Sequence, residues 1–302
     1  MIPGVGGVGT KGPGPFDAGK GAPAPRDSTP ARLPAQIAFT RLRAVSAERL
    51  LGGTHEVVLE GALGRALPGQ FLMADVDPDA PVMRPYTVFR TLDDKTRTLL
   101  VRSPLPERLE PGREVAVIGP LGTPFPAPGS AAGPLGSRLA IVDAGRLAPV
   151  YEALREALYA GYGTVRLIAG GTREAHFDGL DLIRELGIPV EVVTHVVPSA
   201  SSRGALASLI AGLDSVGQVE ELFLALPEER LKELTRALDE RRERGLPVPA
   251  HTFAALETPM ACGVGACYGC PVPLKHPADP RHPYARACTE GPVMPLGEVA
   301  LA

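Results

Sequence analysis

The sequence predicts a multidomain protein of the β + α/β class, in which an antiparallel β region precedes a parallel α/β region. Residues 36–126 contain short strands separated by turns, without convincing helices. Residues 137–245 instead alternate strands with amphipathic helices. All four cysteines lie within residues 246–302, a third and smaller region that is set apart by its composition.

The composition is that of an ordinary globular protein, with 44% hydrophobic residues and a formal net charge of −3 over 302 residues. A chain of this length can form two or three domains, each with its own core. The charge balance gives no sign of a nucleic-acid or membrane partner, and no apolar run approaches the roughly 20 residues of a membrane helix. The first residues lack the pattern of a secretory signal, so we expect a cytoplasmic protein.

Residues 1–35 are predicted to form a disordered tail, because they are rich in Gly and Pro and have no hydrophobic periodicity. The GVGGVG sequence in this stretch superficially resembles a nucleotide-binding loop. No strand pattern precedes it and no helix pattern follows it, so the fingerprint interpretation fails.

Six short strands are predicted within residues 36–126, in the sequences IAFTRLRAV, EVVLEG, QFLMADV, YTVFRTL, TLLVRS and EVAVIG. Turn sequences such as LPGQ, LDDKT and LEPGRE separate them. Regularly spaced strands of this kind are typical of an antiparallel barrel or sandwich. The stretch PAPGSAAGPLGS that follows is predicted to be a linker.

The strand RLAIVDA and the helix APVYEALREALYAG begin an alternation that ends with the helix EERLKELTRALDERRERG. This alternation of strands and helices predicts a parallel sheet with helices on both faces. The region that follows is rich in Gly, Pro and Cys and has little periodicity. Such a region would fold poorly alone, so we expect a bound group to organise it.

The cysteines have the spacing C-x4-C-x2-C-x17-C, formed by Cys262, Cys267, Cys270 and Cys288. The C-x4-C-x2-C core is the plant-type pattern for a 2Fe–2S cluster, whose fourth ligand comes from further along the chain. Small residues between the cysteines allow the loop to fold tightly, so that backbone N–H groups can approach the cluster sulfides. We therefore predict that these four thiolates bind one 2Fe–2S cluster.

Structural zinc, two disulfides and inert core thiols are the alternatives. Zinc sites usually use two short C-x2-4-C knuckles, whereas Cys288 follows a long gap here. Disulfides are uncommon in the cytoplasm. A Rieske centre needs two His ligands, and His276 and His282 lack the C-x-H pairing, so both are interpreted as surface-loop residues.

The sequence RPYT, formed by Arg84, Pro85, Tyr86 and Thr87, opens a predicted barrel strand. At this point the chain resembles the ferredoxin-reductase-like flavoproteins, in which R-x-Y-[S/T] contacts the flavin. The resemblance implies that Arg84 pairs with the pyrophosphate of FAD, that Tyr86 lies against the ring and that Thr87 bonds near its reactive nitrogen. The alternative is an ordinary strand with an exposed Arg and a half-buried Tyr.

A barrel with RPYT, then GPLG, an α/β region and a C-terminal C-x4-C-x2-C…C together resemble the electron-transfer subunit of the two-subunit dihydroorotate dehydrogenase. The resemblance is strongest in ACGVGACYGCPVP and ACTEGPVMP. It implies a flavin-binding antiparallel β-barrel, a Rossmann-like parallel α/β domain and a small C-terminal 2Fe–2S cluster domain. It also implies FAD, NAD as electron acceptor, and a hetero-oligomer with a catalytic FMN-containing subunit that oxidises dihydroorotate in pyrimidine biosynthesis.

Three loops depart from that family. IVDAGRLAPV stands where the family has a glycine-rich GGGxG turn, and Asp143 and Arg146 place charge and bulk where backbone must approach phosphate. THVVPSASSRG replaces an acidic, glycine-containing loop, and LALPEE replaces a Cys-Gly-Pro loop near the nicotinamide. We expect the NAD site to be degenerate or changed in specificity. The family's Gly-Thr turn for the flavin diphosphate is also missing, and Ser103 is the candidate substitute.

Three hypotheses follow. The first is an electron-transfer flavo-iron–sulfur subunit of a dihydroorotate-dehydrogenase-like complex. The second is a ferredoxin-like relay or regulatory subunit that has lost nicotinamide binding, and flavin reduction by NADH distinguishes it from the first. The third is a zinc-stabilised interaction module without redox chemistry, which iron and acid-labile sulfide would exclude.

Overall fold

The computed structural model describes residues 38–50, 54–77, 80–102, 109–129, 136–143, 145–171, 179–194 and 219–301. The predicted tail and Ser103 lie outside these ranges, as do parts of the predicted linker and of the predicted strand–helix alternation. Among the helices of the described residues, none has the length and hydropathy that crossing a membrane requires.

Six antiparallel strands close into a barrel in the order β1-β2-β5-β4-β3-β6. Their bounds are β1 Ala38–Arg49, β2 Thr54–Glu60, β3 Phe71–Ala74, β4 Arg84–Thr91, β5 Thr96–Arg102 and β6 Glu114–Leu121. Burial alternates along β6, as the period of two in a strand requires. The inward residues, including Leu42, Leu59, Leu72 and Leu99, form one core. The strand signals therefore correspond to a barrel rather than a sandwich.

A six-stranded sheet follows, in the order β14-β11-β10-β7-β8-β9, whose edge strand β14 is Val293–Pro295 of the C-terminal part. The elements of this part are β7 Ser137–Asp143, α1 Ala148–Tyr159, β8 Thr164–Gly171, α2 Leu180–Glu185, β9 Val190–Thr194, β10 Glu221–Ala225, α3 Glu228–Glu243 and β11 His251–Ala255. Strands β7 to β11 pair in parallel. Every residue of β10 is buried, because α1 packs on one face of the sheet and α3 on the other.

The C-terminal part contains four short elements and a 3₁₀ turn at Leu296–Glu298. They are β12 Pro271–Pro273, β13 Tyr284–Arg286, α4 Ala287–Glu290 and β14 Val293–Pro295. Strand β14 pairs antiparallel with β11, so the predicted region 246–302 supplies two strands to the sheet of the preceding region. The predicted fold class is confirmed, whereas the exact domain boundaries stay predictions.

A buried ion pair holds the amino-terminal ends of β7 and β10 together. The Arg138 guanidinium and the Glu221 carboxylate are both inaccessible to solvent, and Arg138 Nε donates to Glu221 Oε2 over 2.7 Å. The guanidinium centre also lies 4.7 Å from the Tyr162 ring centroid and 4.3 Å from that of Phe223. The Tyr162 hydroxyl donates to Glu221 Oε2 over 2.9 Å and accepts from the Gly129 backbone N–H, so the network also reaches the chain that enters this region.

Substitution E221Q is expected to destabilise the protein by about 3–5 kcal/mol, because it leaves the Arg138 charge buried without a compensating charge. Urea denaturation followed by circular dichroism measures this change. The matched control is R41A, which removes an exposed ion pair with Glu114 (N–O distance 3.4 Å) and is expected to cost about 1 kcal/mol or less. Equal effects of the two substitutions would contradict the role given to the buried pair.

Candidate functional site

The cysteine loop between β11 and β12 packs directly on barrel strand β3. Gly263 in this loop has φ +70°, and a Cβ there would lie 2.8 Å from Met73 Sδ and closer still to its Cγ. Met73 belongs to a hydrophobic core with Phe71 and Leu121 of the barrel and with Cys270 and Cys288. The loop therefore approaches the barrel as closely as a residue without a side chain allows.

The four cysteines form two pairs of thiols. The Cys262 and Cys267 thiols interact with each other, as do the Cys288 and Cys270 thiols, and the charge of Cys262 also acts on Cys288. Cys270 and Cys288 are buried, Cys262 is half-buried and Cys267 is exposed. No three Cys, His, Asp or Glu side chains of the described chain converge as the ligands of a single metal ion do. Two separate pairs suit two metal atoms, which is the donor arrangement of a 2Fe–2S cluster.

The environments of the pairs differ. Burial raises the pKa of the Cys288 thiol to about 12, and its hydrogen bond with Cys270 acts in the same direction. Burial also opposes ionisation of Cys262, but hydrogen bonds, chiefly from the Cys267 and Val264 backbone N–H groups, lower the pKa of its thiol to about 6. Backbone donors aimed at a sulfur also stabilise a thiolate bound to metal, so the loop is built for anionic sulfur.

Arg286 anchors the cysteine loop, and sequence reasoning missed it. Its guanidinium centre lies 5.2 Å from the ring centroid of Tyr268, which has φ 54° and is 70% exposed. Its Nη1 donates to the Gly265 carbonyl over 3.3 Å, and its Nε donates to Glu290 over 3.2 Å. Arg286 thus ties the first three cysteines to the helix α4 that carries Cys288. Nothing in its local sequence distinguishes it from a surface arginine.

The RPYT residues border a cavity of 270 Å³ where the barrel, the α/β sheet and the C-terminal part meet. Pro85, Tyr86 and Thr87 line it from β4. Burial raises the pKa of the Tyr86 hydroxyl despite the opposing charge of Arg84. Arg84 itself lies outside the lining, is 57% exposed and lies 3.7 Å from Asp77. Three of the four RPYT residues therefore meet at one cavity, whereas Arg84 lies outside its lining and pairs with Asp77.

The cavity and the cysteines are separated by little more than one layer of side chains. On β3, Phe71 pairs with Thr87 and Met73 pairs with Pro85. The side chains of Phe71 and Met73 belong to the core that contains Cys270 and Cys288. Leu256 lines the cavity and also packs against that core. A group in the cavity and a group held by the cysteines would thus be close neighbours.

Two of the three loops that depart from the family in sequence supply residues that line cavities. Arg146 lines the cavity, and its Nη2 lies 2.5 Å from Glu257 Oε2. Leu226, Pro227 and Glu228 of the LALPEE sequence line a second cavity, of 440 Å³. The THVVPSASSRG loop, after its first residue, lies outside the described residues.

Comparison with known proteins bears on this geometry. Residues 257–300 match the model of the iron-sulfur cluster binding domain of dihydroorotate dehydrogenase B. The dihydroorotate dehydrogenase B (NAD(+)) electron transfer subunit of Geobacillus thermodenitrificans (strain NG80-2) is 30% identical over 277 residues, which cover 88% of this chain and all of that one. The chain belongs to the family of these electron transfer subunits. The corresponding subunit of Shouchella clausii (strain KSM-K16) is 30% identical over 86% of this chain and 98% of that one.

Solved structures share the fold at lower identity. An NADH-dependent reduced ferredoxin-NADP oxidoreductase superposes with a TM-score of 0.67 at 18% identity, covering 86% of this chain and 90% of that one. Phthalate dioxygenase reductase gives a TM-score of 0.55 at 13% identity, covering 83% of this chain and 94% of that one. The family resemblance and the three-part fold predicted from the sequence are confirmed. The ligand roles of the cysteines, RPYT and Ser103 stay predictions, and Ser103 lies outside the described residues.

Substitution G263A is expected to lower the iron content of the purified protein several-fold, because the added Cβ pushes the cysteine loop off Met73. The matched control is G112A, since Gly112 has φ +91° but no atom within 4 Å of an added Cβ. Both changes strain a left-handed residue by about 1–2 kcal/mol, and only G263A also moves the loop. Iron per protein, measured by plasma emission, checks this. An equal loss in both variants would contradict the close packing described here.

Proposed function

We propose that this chain is the electron-transfer subunit of a dihydroorotate-dehydrogenase-like complex in pyrimidine biosynthesis. It would hold a 2Fe–2S cluster and FAD and pass electrons from a catalytic FMN-containing partner. The observation that carries the proposal is the placement of two thiol pairs one side-chain layer away from the RPYT cavity. Membership of the electron transfer subunit family supports it.

The cluster ligands in this proposal are Cys262 and Cys267 for one iron and Cys270 and Cys288 for the other. When bound, the cluster supplies one-electron transfer and the flavin supplies both one- and two-electron transfer. The protein excludes water from the inner pair, since Cys270 and Cys288 are 2% and 1% exposed. It leaves Cys267 exposed, so the outer pair is the side open to a partner.

The flavin ring would lie in the 270 Å³ cavity, with Tyr86 and Thr87 on its barrel side. Gly145 and Pro149 line the same cavity from the α/β sheet, and Pro292 lines it from the C-terminal part. Arg84, at the start of β4, would pair with the diphosphate, because a guanidinium matches two phosphate oxygens at once. Ser103 would support the same diphosphate.

The partner would be the catalytic subunit, and the complex a hetero-oligomer. The relatives are named as subunits, which implies an assembly with a second chain. Co-expression of a tagged form of this chain with the catalytic subunit, followed by affinity purification, tests this directly. The proposal expects a stable complex in which dihydroorotate bleaches the absorbance of the cluster. Separate elution of the two chains would contradict it.

The zinc-module alternative is disfavoured by the match of residues 257–300 to an iron-sulfur cluster binding domain. The relay alternative, without nicotinamide binding, has one specific observation in its favour. Arg146 stands in the RPYT cavity, at the position where the sequence departs from the family's glycine-rich turn.

Substitution C267S is expected to abolish most of the iron–sulfur absorbance, because a serine hydroxyl replaces one of two thiolates on the outer iron. The barrel should stay folded, since Cys267 is exposed and belongs to no core. Visible absorbance with iron and acid-labile sulfide analysis measures the first effect, and far-ultraviolet circular dichroism the second. Y268F, which leaves the thiols and the ring in place, is the control and should retain full absorbance. Unfolding of C267S would contradict the placement of Cys267 outside the cores.

A further inference from the structure

The α/β sheet has a switch point between β7 and β10. From β7, the sheet continues through β8 and β9 on one side and through β10 and β11 on the other side. In open parallel sheets, ligands bind outside the carboxyl ends of the strands at such a point, and dinucleotides place their diphosphate there. The two cavities of 270 and 440 Å³ lie at this edge, and both are lined by Arg146, Leu256 and Glu257.

An ion pair crosses the edge between the two cavities. Arg146 follows β7, and Glu257 follows β11. Arg146 Nη2 lies 2.5 Å from Glu257 Oε2, while its Nη1 lies 3.9 Å from Asp143 Oδ2. The backbone N–H of Arg146 also donates to the Asp143 carbonyl over 2.9 Å, which fixes the turn that presents the side chain. The Arg146 side chain is 21% exposed and lies in the crevice, whereas the Glu257 side chain is 67% exposed and faces solvent at its rim.

Charge in the larger cavity opposes a dinucleotide. Glu228 and Glu229, in the first turn of α3, line it together with Glu257. Carboxylates at a helix amino terminus already satisfy the partial positive charge that would otherwise attract phosphate. A diphosphate placed here would meet carboxylates, and the guanidinium of Arg146 is already engaged by Glu257 and Asp143.

The smaller cavity is the one bordered by Tyr86 and Thr87. Hydride transfer needs the nicotinamide in contact with the flavin ring, with reacting atoms about 3–3.5 Å apart. A nicotinamide approaching from the larger cavity would have to displace Arg146 from Glu257 first. The pair therefore stands between the nucleotide position and the ring position.

We propose that the Arg146–Glu257 ion pair closes the RPYT cavity to nicotinamide dinucleotides, so that electrons leave this chain one at a time and not as a hydride. This inference rests on the proposed electron-transfer function. Oxidation of one dihydroorotate to orotate releases two electrons and two protons. Two one-electron acceptors would then be reduced in place of one NAD⁺, and both protons would pass to solvent.

The test uses the complex with its catalytic partner, purified without oxygen. Calorimetric titration with NADH should give no binding heat for the unchanged protein, and NADH should leave its visible bands unbleached. E257Q, which removes one carboxylate and frees the Arg146 guanidinium for a phosphate, is expected to bind NADH at least about tenfold more tightly than the unchanged protein. R146A, which opens the space but leaves the carboxylates of the larger cavity without that guanidinium, should show a smaller gain. R242A, which removes an exposed arginine paired with Asp239 outside both cavities, should change nothing.

Micromolar binding of NADH by the unchanged protein, or rapid bleaching of its bands by NADH, would overturn the closure while leaving the electron-transfer function intact. Unaltered NADH binding in R146A and E257Q would show that this pair is not what closes the cavity. With dihydroorotate as donor, the complex should reduce ferricenium and not NAD⁺, and equal reduction of both would also overturn it. If the purified complex showed no visible absorbance of a cluster or a flavin before any reductant is added, the proposed function would be contradicted. The calorimetric titration with NADH would still test the closure of the cavity in that case.

Discussion

A close backbone contact between the end of β6 and the turn before β14 joins all three parts of the chain. Gly122 has φ +79°, and a Cβ there would lie 2.6 Å from Pro292 Cδ and 2.7 Å from the Gly291 carbonyl oxygen. The Thr123 hydroxyl donates to the Val293 carbonyl over 2.7 Å. Because β14 is an edge strand of the α/β sheet and α4 immediately precedes it, this contact places the barrel, the sheet and Cys288 relative to one another.

The site depends on that placement. Pro292 lines the RPYT cavity, and Met294 on β14 belongs to the core that holds Cys270 and Cys288. The same short segment therefore borders the proposed flavin position and the proposed cluster position. Proteins bring two redox groups together most reliably on rigid elements, and here the rigidity comes from backbone contacts between parts that are far apart in sequence.

Some of this arrangement could be predicted from the sequence, for identifiable reasons. Burial alternates along barrel strand β6, and the helices α1 and α3 carry apolar residues at three-to-four spacing, so the local pattern indicates which type of element forms. The cysteine spacing indicates a cluster without any knowledge of the fold. Strand β14 has only three residues and pairs with β11 about 40 positions away. The partners Arg146 and Glu257 are 111 residues apart, and no local signal links them. The role of Arg286 likewise depends on contacts that only folding creates.

The most direct test of the account is anomalous diffraction at the iron and zinc absorption edges from crystals of the complex grown without oxygen. The account predicts two iron peaks, one between the sulfurs of Cys262 and Cys267 and the other between those of Cys270 and Cys288. A single zinc peak among the four cysteines, or sulfur pairs joined as disulfides, would contradict it.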